Sequence, residues 1–414
     1  MHHARLAALT LSLVPVMSPA QTPAAGSFAD DASFIAQHVD TITLKDGDAR
    51  VAVVPAYQGR VMTSSFAGDA GPSLGWINRK VIEAGILPPE QVKGKLESHI
   101  YIFGGEERYW LGPEGGQFAI YFPPGSKFEF EVWKTPAPID TDAWSVNETT
   151  ATSASFEHAF ELQNWSGTRF LCKADRTVSL VPRADVAAQL GVDLPDAVKL
   201  VAYETDNRLT NRGTNAWTKT GGMLSIWMLG MYKHSEATTV VIPYVKGDAA
   251  ELGPVVNDEY FGKVPADRLV VRDGVMFFSG DGKLRAKIGL PPGRSKGIAG
   301  SYASDSGVLT LLTYNQPEGA KEYVNSMWAM QDNPFSGDAV NAYNDGSPAP
   351  GAPPLGPFYE LESSSPAAAL APGQTVRHVQ RTIHLTGPEP VLDAIARKWL
   401  GAGLDEIKTA LPKP

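Results

Sequence analysis

Two glutamates stand one residue apart in the stretch GPFYELESSSPAAALAPG, which runs from Gly356 to Gly373. Residues at positions i and i+2 of a β-strand project from the same face, so Glu360 and Glu362 would lie side by side. Two like charges raise each other's pKa, and a carboxyl with a raised pKa suits general acid–base catalysis near neutral pH. The alternative is the polar outer face of an ordinary strand.

A second polar segment, HIYIFGGEERYWLGPEGGQFAIYFPPG, begins at His99. Two glycine pairs bracket its charged and aromatic side chains, and glycine permits tight turns or the close approach of a ligand. Aromatic rings pack on the C–H face of a sugar, while carboxylates and arginine bond its hydroxyls. The pattern favours a sugar site over a plain hairpin, with the candidate contacts His99, Glu106, Glu107, Arg108, Tyr109, Trp110 and Glu114.

Two further stretches carry weaker signals. VAVVPAYQGRVMTSSF predicts a hairpin in which Arg60 is either a surface residue or a substrate contact. The loop DNPFSGDAVNAYNDGSPAPG, before the glutamate strand, supplies the candidate binding residues Asn341, Asn344 and Asp345. Its oxygen-rich side chains leave calcium open as an alternative, but EF-hand spacing is absent. The sequence therefore predicts no metal and no cofactor.

The composition limits the partners and the compartment. The chain of 414 residues has 36 Lys and Arg against 45 Asp and Glu, a net charge of −9. This balance argues against nucleic acid, whose binding needs clustered basic residues. The start, MHHARLAALTLSLVPVMSPAQ, predicts a secretory signal cleaved after Ala20. No later segment is long and apolar enough to span a membrane. Together with the signal, this leads us to expect a periplasmic or secreted protein, and the sequence does not determine its oligomeric state.

Short runs of alternating apolar and polar residues dominate the chain and predict strands with one buried face. Residues 41–54 predict a hairpin, and 225–229 predict a central strand whose Trp227 packs in the core. Strands are also predicted at 99–103, 117–122 and 127–133. Helical periodicity is clearest from Pro390 onward.

These elements predict an all-β fold, a large antiparallel β-sandwich with few short helices and a C-terminal helix. No compositional break divides the chain, so one domain is expected. The predicted organisation is a signal peptide at 1–20, a flexible lead-in at 21–40, the sandwich at 41–388 and a helix packed on it at 389–414.

Several motifs in order resemble the galactose mutarotase-like (aldose 1-epimerase-like) superfamily between Thr41 and Leu385. They are VVPAYQGRV, GGEERYWLGPE, NRLTNRGTNAWTKTGGMLSIWML with VVIPY, and YELESSSPAAALAPGQ. The resemblance implies a β-supersandwich with a concave carbohydrate-binding face. In aldose epimerases of this group the general base is a glutamate on a strand followed by a Leu-x-Pro-Gly segment. That layout puts Glu362 at the base position, with Glu360 as its neighbour.

The chain departs from the epimerase pattern in two places. Ser225 or Trp227 stands where the resemblance implies an acid histidine. Residues 103–106 read Phe-Gly-Gly-Glu in place of an Asn-His-Gly-Gly type of substrate motif. Both departures count against simple aldose 1-epimerase activity.

The leading hypothesis is an exported carbohydrate-active protein that binds a sugar or glycan on the concave sheet face. Glu362 would be the base, with Glu360 or Glu107 as its partner and Arg108 and Trp110 as sugar contacts. Epimerisation, glycoside hydrolysis and polysaccharide lyase chemistry all stay open. A non-catalytic carbohydrate-binding β-sandwich is the alternative from another class.

Overall fold

A computed structural model of the chain describes residues 23–347, 351 and 353–412. Of the described residues, 38% are strand and 16% are helix, which confirms the predicted all-β class with few short helices. The strands form three antiparallel sheets of ten, five and three strands. The predicted signal at 1–20 lies outside the described residues.

The largest sheet forms one layer of a sandwich. Along β7 (Arg169–Leu180) and β8 (Lys199–Asn211), buried residues alternate with less buried ones, as expected for a sheet with one covered face. In spatial order its strands are β11 (Leu269–Arg272), β12 (Val275–Ser279), β10 (Thr238–Pro243), β14 (Ile298–Ala303), β15 (Val308–Tyr314), β18 (Thr375–Thr386), β8 (Lys199–Asn211), β7 (Arg169–Leu180), β6 (Ser153–Gln163) and β5 (Ser145–Thr149).

The five-stranded sheet is the second layer, and nearly all of its residues are buried, so material covers both of its faces. In spatial order its strands are β13 (Ala286–Leu290), β16 (Val340–Asn344), β17 (Phe358–Ser364), β9 (Ser225–Lys233) and β4 (Arg108–Gly112). The smallest sheet contains β1 (Ile42–Asp46), β2 (Ala49–Val54) and β3 (Arg60–Ser65).

One face of β17 packs directly on the ten-stranded sheet. The hydroxyl of Ser363 lies 2.7 Å from Nε2 of His378 and donates to Oε1 of Gln380 at 2.6 Å. The hydroxyl of Tyr359 lies 2.8 Å from that of Ser301 on β14. Because side chains alternate along a strand, Glu360 and Glu362 face away from the sandwich interior.

A fully buried ion pair joins the start of β4 to the ten-stranded sheet. Nη2 of Arg176 donates to Oε1 of Glu107 at 2.9 Å, and neither side chain is exposed. Arg176 also donates to Asn207 at 2.6 Å and to the carbonyl of Gly59 at 3.0 Å, while Gln380 donates to Glu107 at 2.8 Å. A buried charge is tolerated only when it is paired and hydrogen-bonded, and this pair meets both conditions.

Part of the expected flexible lead-in at 21–40 is a packed helix, which corrects that prediction. The helix is capped by the Ser27 hydroxyl, and Ile35 is fully buried beneath it. Its Asp31 is paired with Arg79 at 2.6 Å. The periodic apolar face and the cap, both local features, stabilise this helix once a surface is available to cover Ile35.

The described residues contain seven α-helices, and none of them has the length and apolarity needed to cross a bilayer. The predicted C-terminal helix is present as two helices, because Gly401 adopts the left-handed conformation (φ 76°) that ends the first. The helices are α1 (Phe28–His38), α2 (Arg79–Ala84), α3 (Pro89–Val92), α4 (Arg183–Leu190), α5 (Ala249–Leu252), α6 (Glu389–Leu400) and α7 (Leu404–Thr409).

Four local predictions were wrong. Residues 99–103, 117–122 and 127–133 are irregular, although Ile100, Ile102 and other apolar side chains there are buried. An alternating pattern of apolar residues shows which side chains are buried, but it does not show that a neighbouring strand buries them. Here an aromatic cluster buries them, so no strand forms. Conversely, residues 340–344 of the predicted loop form β16.

We expect the substitution Arg176→Met to lower the free energy of unfolding by about 3–5 kcal/mol, because it leaves the buried Glu107 carboxylate without its cation. Urea denaturation followed by circular dichroism measures the change. Arg169→Met, on the same strand, is the matched control, because the Arg169–Glu161 pair is largely exposed and its loss has little effect. Equal destabilisation by the two substitutions would contradict the role of the buried pair.

Candidate functional site

A cleft of about 430 Å³ covers the face of the five-stranded sheet that points away from the sandwich interior. Its floor consists of alternate residues from all five strands, and irregular segments form its walls. Its aromatic lining residues are Trp110, Phe130, Trp133, Trp227, Phe261, Trp328, Tyr343 and Phe358. Its charged lining residues are Arg108, Glu114, Arg285, Lys287, Asp345 and Glu360.

The strand register explains how distant parts of the sequence meet on this floor. Glu362 lies directly opposite Asn341 on β16 and Leu229 on β9, and Leu229 lies opposite Arg108 on β4. Tyr343 and Glu360 form the next row. Opposed residues of antiparallel strands have their side chains about 5 Å apart on one face, so each row forms a continuous line.

Glu360 lies on the cleft floor, paired with Arg108. Nη2 of Arg108 donates to Oε1 of Glu360 at 2.6 Å, and the guanidinium stacks 4.2 Å above the centre of the Trp110 ring. Burial raises the pKa of Glu360 to about 7, against the opposing effect of Arg108, and the charge of Glu362 adds to the increase. At neutral pH this carboxyl is therefore able both to donate and to accept a proton.

Glu362 has different surroundings although it shares the face. It is fully buried, and its Oε2 accepts hydrogen bonds from Nζ of Lys287 and from Nε1 of Trp227, both at 2.9 Å. Its other oxygen, Oε1, has no partner among the described residues. The structure brings the two glutamates together as predicted, but Glu360 lines the cleft and Glu362 lies beneath Lys287 and Trp227.

Lys287 is a site residue that the sequence interpretation missed. Trp227 packs in the hydrophobic core as expected and also lines the cleft, with the ammonium of Lys287 4.7 Å from the centre of its ring. The sequence did contain one indication that Lys287 has a special role. It is the only charged residue of β13, whose five residues are all buried. A charged residue inside a wholly apolar strand needs a partner of opposite charge, which Glu362 provides.

Four predicted sugar contacts lie in the interior and not in the cleft, which corrects those predictions. Glu107 pairs with Arg176, as described above. Glu106 accepts from the Ser64 hydroxyl at 2.8 Å, and Arg60 donates to the carbonyl of Gly104 at 3.0 Å. The fourth is fully buried Tyr109. Tyr109 is in the interior because successive side chains of a strand point to opposite faces, and its neighbours in β4, residues 108 and 110, face the cleft.

Four of the remaining candidates lie at the cleft or beside it. Glu114 and Asp345 line it. His99 stacks on Phe130 at a ring distance of 4.4 Å and bonds the carbonyl of Trp133, so it supports the wall without lining the cleft. Asn341 lies next to the floor in a small polar cavity that Lys287 also lines.

The oxygen-rich segment that suggested calcium bonds protein donors instead. Asn344 accepts from the backbone of Gly282 at 2.9 Å, and Asp345 accepts from the hydroxyl of Tyr343 and the backbone of Gly356, both at 2.8 Å. Within the described ranges, no group of three or more His, Cys, Asp or Glu side chains is arranged to hold a metal ion.

Sequence comparison assigns a family. The chain belongs to the Family of unknown function (DUF6786), whose profile matches residues 26–411. A search of curated proteins finds no match.

Solved structures with similar folds include a protein of Escherichia coli K12 provisionally assigned as an aldose 1-epimerase, with 12% identity and a TM-score of 0.48 over 84% of this chain and 99% of that one. A galactose mutarotase-like protein of Lactobacillus casei ATCC 334 is 11% identical, with a TM-score of 0.43 over 84% and 100% of the two chains. The Slr1438 protein of Synechocystis sp. PCC 6803 is 12% identical, with a TM-score of 0.45 over 84% and 96%.

We expect the Glu360 carboxyl to titrate near pH 7, protonated below that value and ionised above it. Arg108→Met should raise this pKa further, because it removes the nearby positive charge. Carbon-13 NMR of glutamate-labelled protein measures the titration, with Glu360→Gln to assign the signal. Exposed Glu157, whose pKa is lowered by its hydrogen bond to Lys173, is the internal reference. Titration of Glu360 at the ordinary value of 4.5 would refute the expected burial effect.

Proposed function

We propose that the protein binds a sugar or glycan in the cleft over the five-stranded sheet and carries out acid–base chemistry on it with the glutamate pair. The observation that supports this most strongly is the combination, in one cleft, of charged side chains on the floor with aromatic rings on the floor and walls. The cleft volume of about 430 Å³ lies in the range of roughly 300–1,000 Å³ that is typical of ligand sites.

The aromatic walls suit the apolar faces of sugar rings. Phe130 and Phe261 line the cleft and are 45% and 43% exposed, so their rings are accessible to a ligand there. Trp133 and Trp328 stack on one another nearby, with ring centres 6.0 Å apart. Flat rings that are open to a cleft bind the C–H faces of a pyranose, and the charged floor bonds its hydroxyls.

Glu360 is the residue that we assign to proton transfer. It lines the cleft, and its pKa of about 7 lets it exchange a proton near neutral pH. The resemblance gave the role of base to Glu362, which is fully buried and held by Lys287 and Trp227. In the proposal Glu362 is the second candidate, and its negative charge adds to the increase in the pKa of Glu360 that burial causes.

A binding protein without chemistry is the second candidate function. The observation that favours it is that both carboxylates are already engaged in ion pairs, Glu360 with Arg108 and Glu362 with Lys287. An ion pair with good geometry opposes protonation of its carboxylate. No histidine lines the cleft among the described residues, so neither glutamate has the acid partner that the resemblance implied.

We expect Glu360→Gln to reduce turnover of the best substrate by roughly 10²–10⁴-fold with little change in affinity, because the amide keeps the shape but cannot exchange the proton. Epimerisation, hydrolysis and elimination are followed by NMR across a glycan panel, and affinity is measured by calorimetry. Exposed Glu161→Gln is the control for the substitution itself.

The outcomes separate the candidate functions. Loss of turnover in Glu362→Gln but not in Glu360→Gln would assign proton transfer to Glu362, the residue that the resemblance favoured. Sugar binding by the wild-type protein without turnover at any pH would support the binding protein. If no sugar binds, the proposal as a whole fails.

We expect Phe130→Ala to weaken sugar affinity about three- to ten-fold, because the stacking surface of the exposed ring is lost. Its exposure predicts a small effect on the free energy of unfolding. Leu171→Ala is the matched control, since Leu171 is equally exposed at 45% but lies outside the cleft. Equal affinities of the two variants would argue against stacking at this wall.

A further inference from the structure

Arg285 differs from the other two basic residues of the cleft because it has no acidic partner. Arg108 is paired with Glu360, and Lys287 with Glu362. Across the described part of the chain, no carboxylate forms an ion pair with Arg285, and its Nε is buried without a hydrogen-bond acceptor. A half-buried guanidinium with an unsatisfied donor is unfavourable in the free protein, and an incoming anion would relieve that cost.

The position of the guanidinium suits a ligand. It lies 3.9 Å from the centre of the Phe261 ring, stacked on an exposed aromatic wall of the cleft. Stacking on one face leaves the N–H groups along the edge of the planar guanidinium, which can bind two oxygens at once.

The two other acidic residues of the lining do not neutralise Arg285. Asp345 accepts hydrogen bonds from the Tyr343 hydroxyl and the Gly356 backbone. Burial raises the pKa of Glu114, and Arg285 opposes this only as a minor effect. The positive charge of Arg285 is therefore available to a ligand.

We propose that Arg285 binds a singly charged oxyanion carried by the sugar, the carboxylate of a uronic acid residue or a sulfate ester. A single charge follows from a single unpaired cation in the lining, since the other two are already neutralised. This inference rests on the proposed function, and it names the class of sugar that the same cleft prefers.

Calorimetric titration of wild-type protein and Arg285→Gln with matched sugars tests the proposal. The pairs are galacturonate with galactose and glucuronate with glucose, and galactose 6-sulfate distinguishes a sulfate from a carboxylate. We expect at least one anionic sugar to bind the wild-type protein ten-fold or more tightly than its neutral counterpart. Arg285→Gln should abolish that preference, because it weakens binding of the anionic sugar much more than binding of its neutral counterpart.

Arg272→Gln is the matched control, because Arg272 also stacks on a phenylalanine, Phe277, but pairs with Glu406 outside the cleft. It should keep the wild-type preference. Equal binding of anionic and neutral sugars, or an unchanged preference in Arg285→Gln, would overturn this inference and leave the proposed function standing. No binding of any sugar would overturn both.

Discussion

The register of β17 is the constraint on which the cleft depends. Its side chains alternate between two environments, so Glu360 and Glu362 lie on the cleft side of the sheet, while Leu361 and Ser363 face the ten-stranded sheet. A slip of one residue would reverse every side chain of the strand and place both carboxylates against the sandwich interior. The contact of Ser363 with Gln380 and the pairing of β17 with both neighbours fix the register that keeps the acids on the floor.

Buried charges on both sides of the five-stranded sheet follow one rule. Each buried carboxylate forms an ion pair with one cation. Glu107 pairs with Arg176 on the interior side, and on the cleft side Glu360 pairs with Arg108 and Glu362 with Lys287. Such pairs add little net stability, because desolvation offsets much of their attraction, but they hold each group in one orientation. Arg285, which also lines the cleft, is outside these pairs, so its positive charge is not compensated by an ion pair.

The two glutamates illustrate how environment separates residues of the same type. Glu360 has one oxygen bonded to a guanidinium that itself stacks on Trp110, and it remains in contact with the cleft. Glu362 is covered by Trp227 and an ammonium group. The sequence resemblance singled out Glu362, whereas access to the cleft singles out Glu360, so motif position and exposure point to different members of the pair.

The sequence by itself determined the all-β class, the hairpin of β2 and β3 and the placement of two carboxylates on one face, because these follow from local alternation and turn chemistry. Only the tertiary structure decided which residues meet: Arg108 and Glu360 are 252 positions apart, and Lys287 and Glu362 are 75 apart. It also placed Glu106, Glu107 and Tyr109 in the interior. Local pattern shows that neighbours point to opposite faces, but which face becomes a cleft depends on what packs against it, and long-range strand pairing sets that packing.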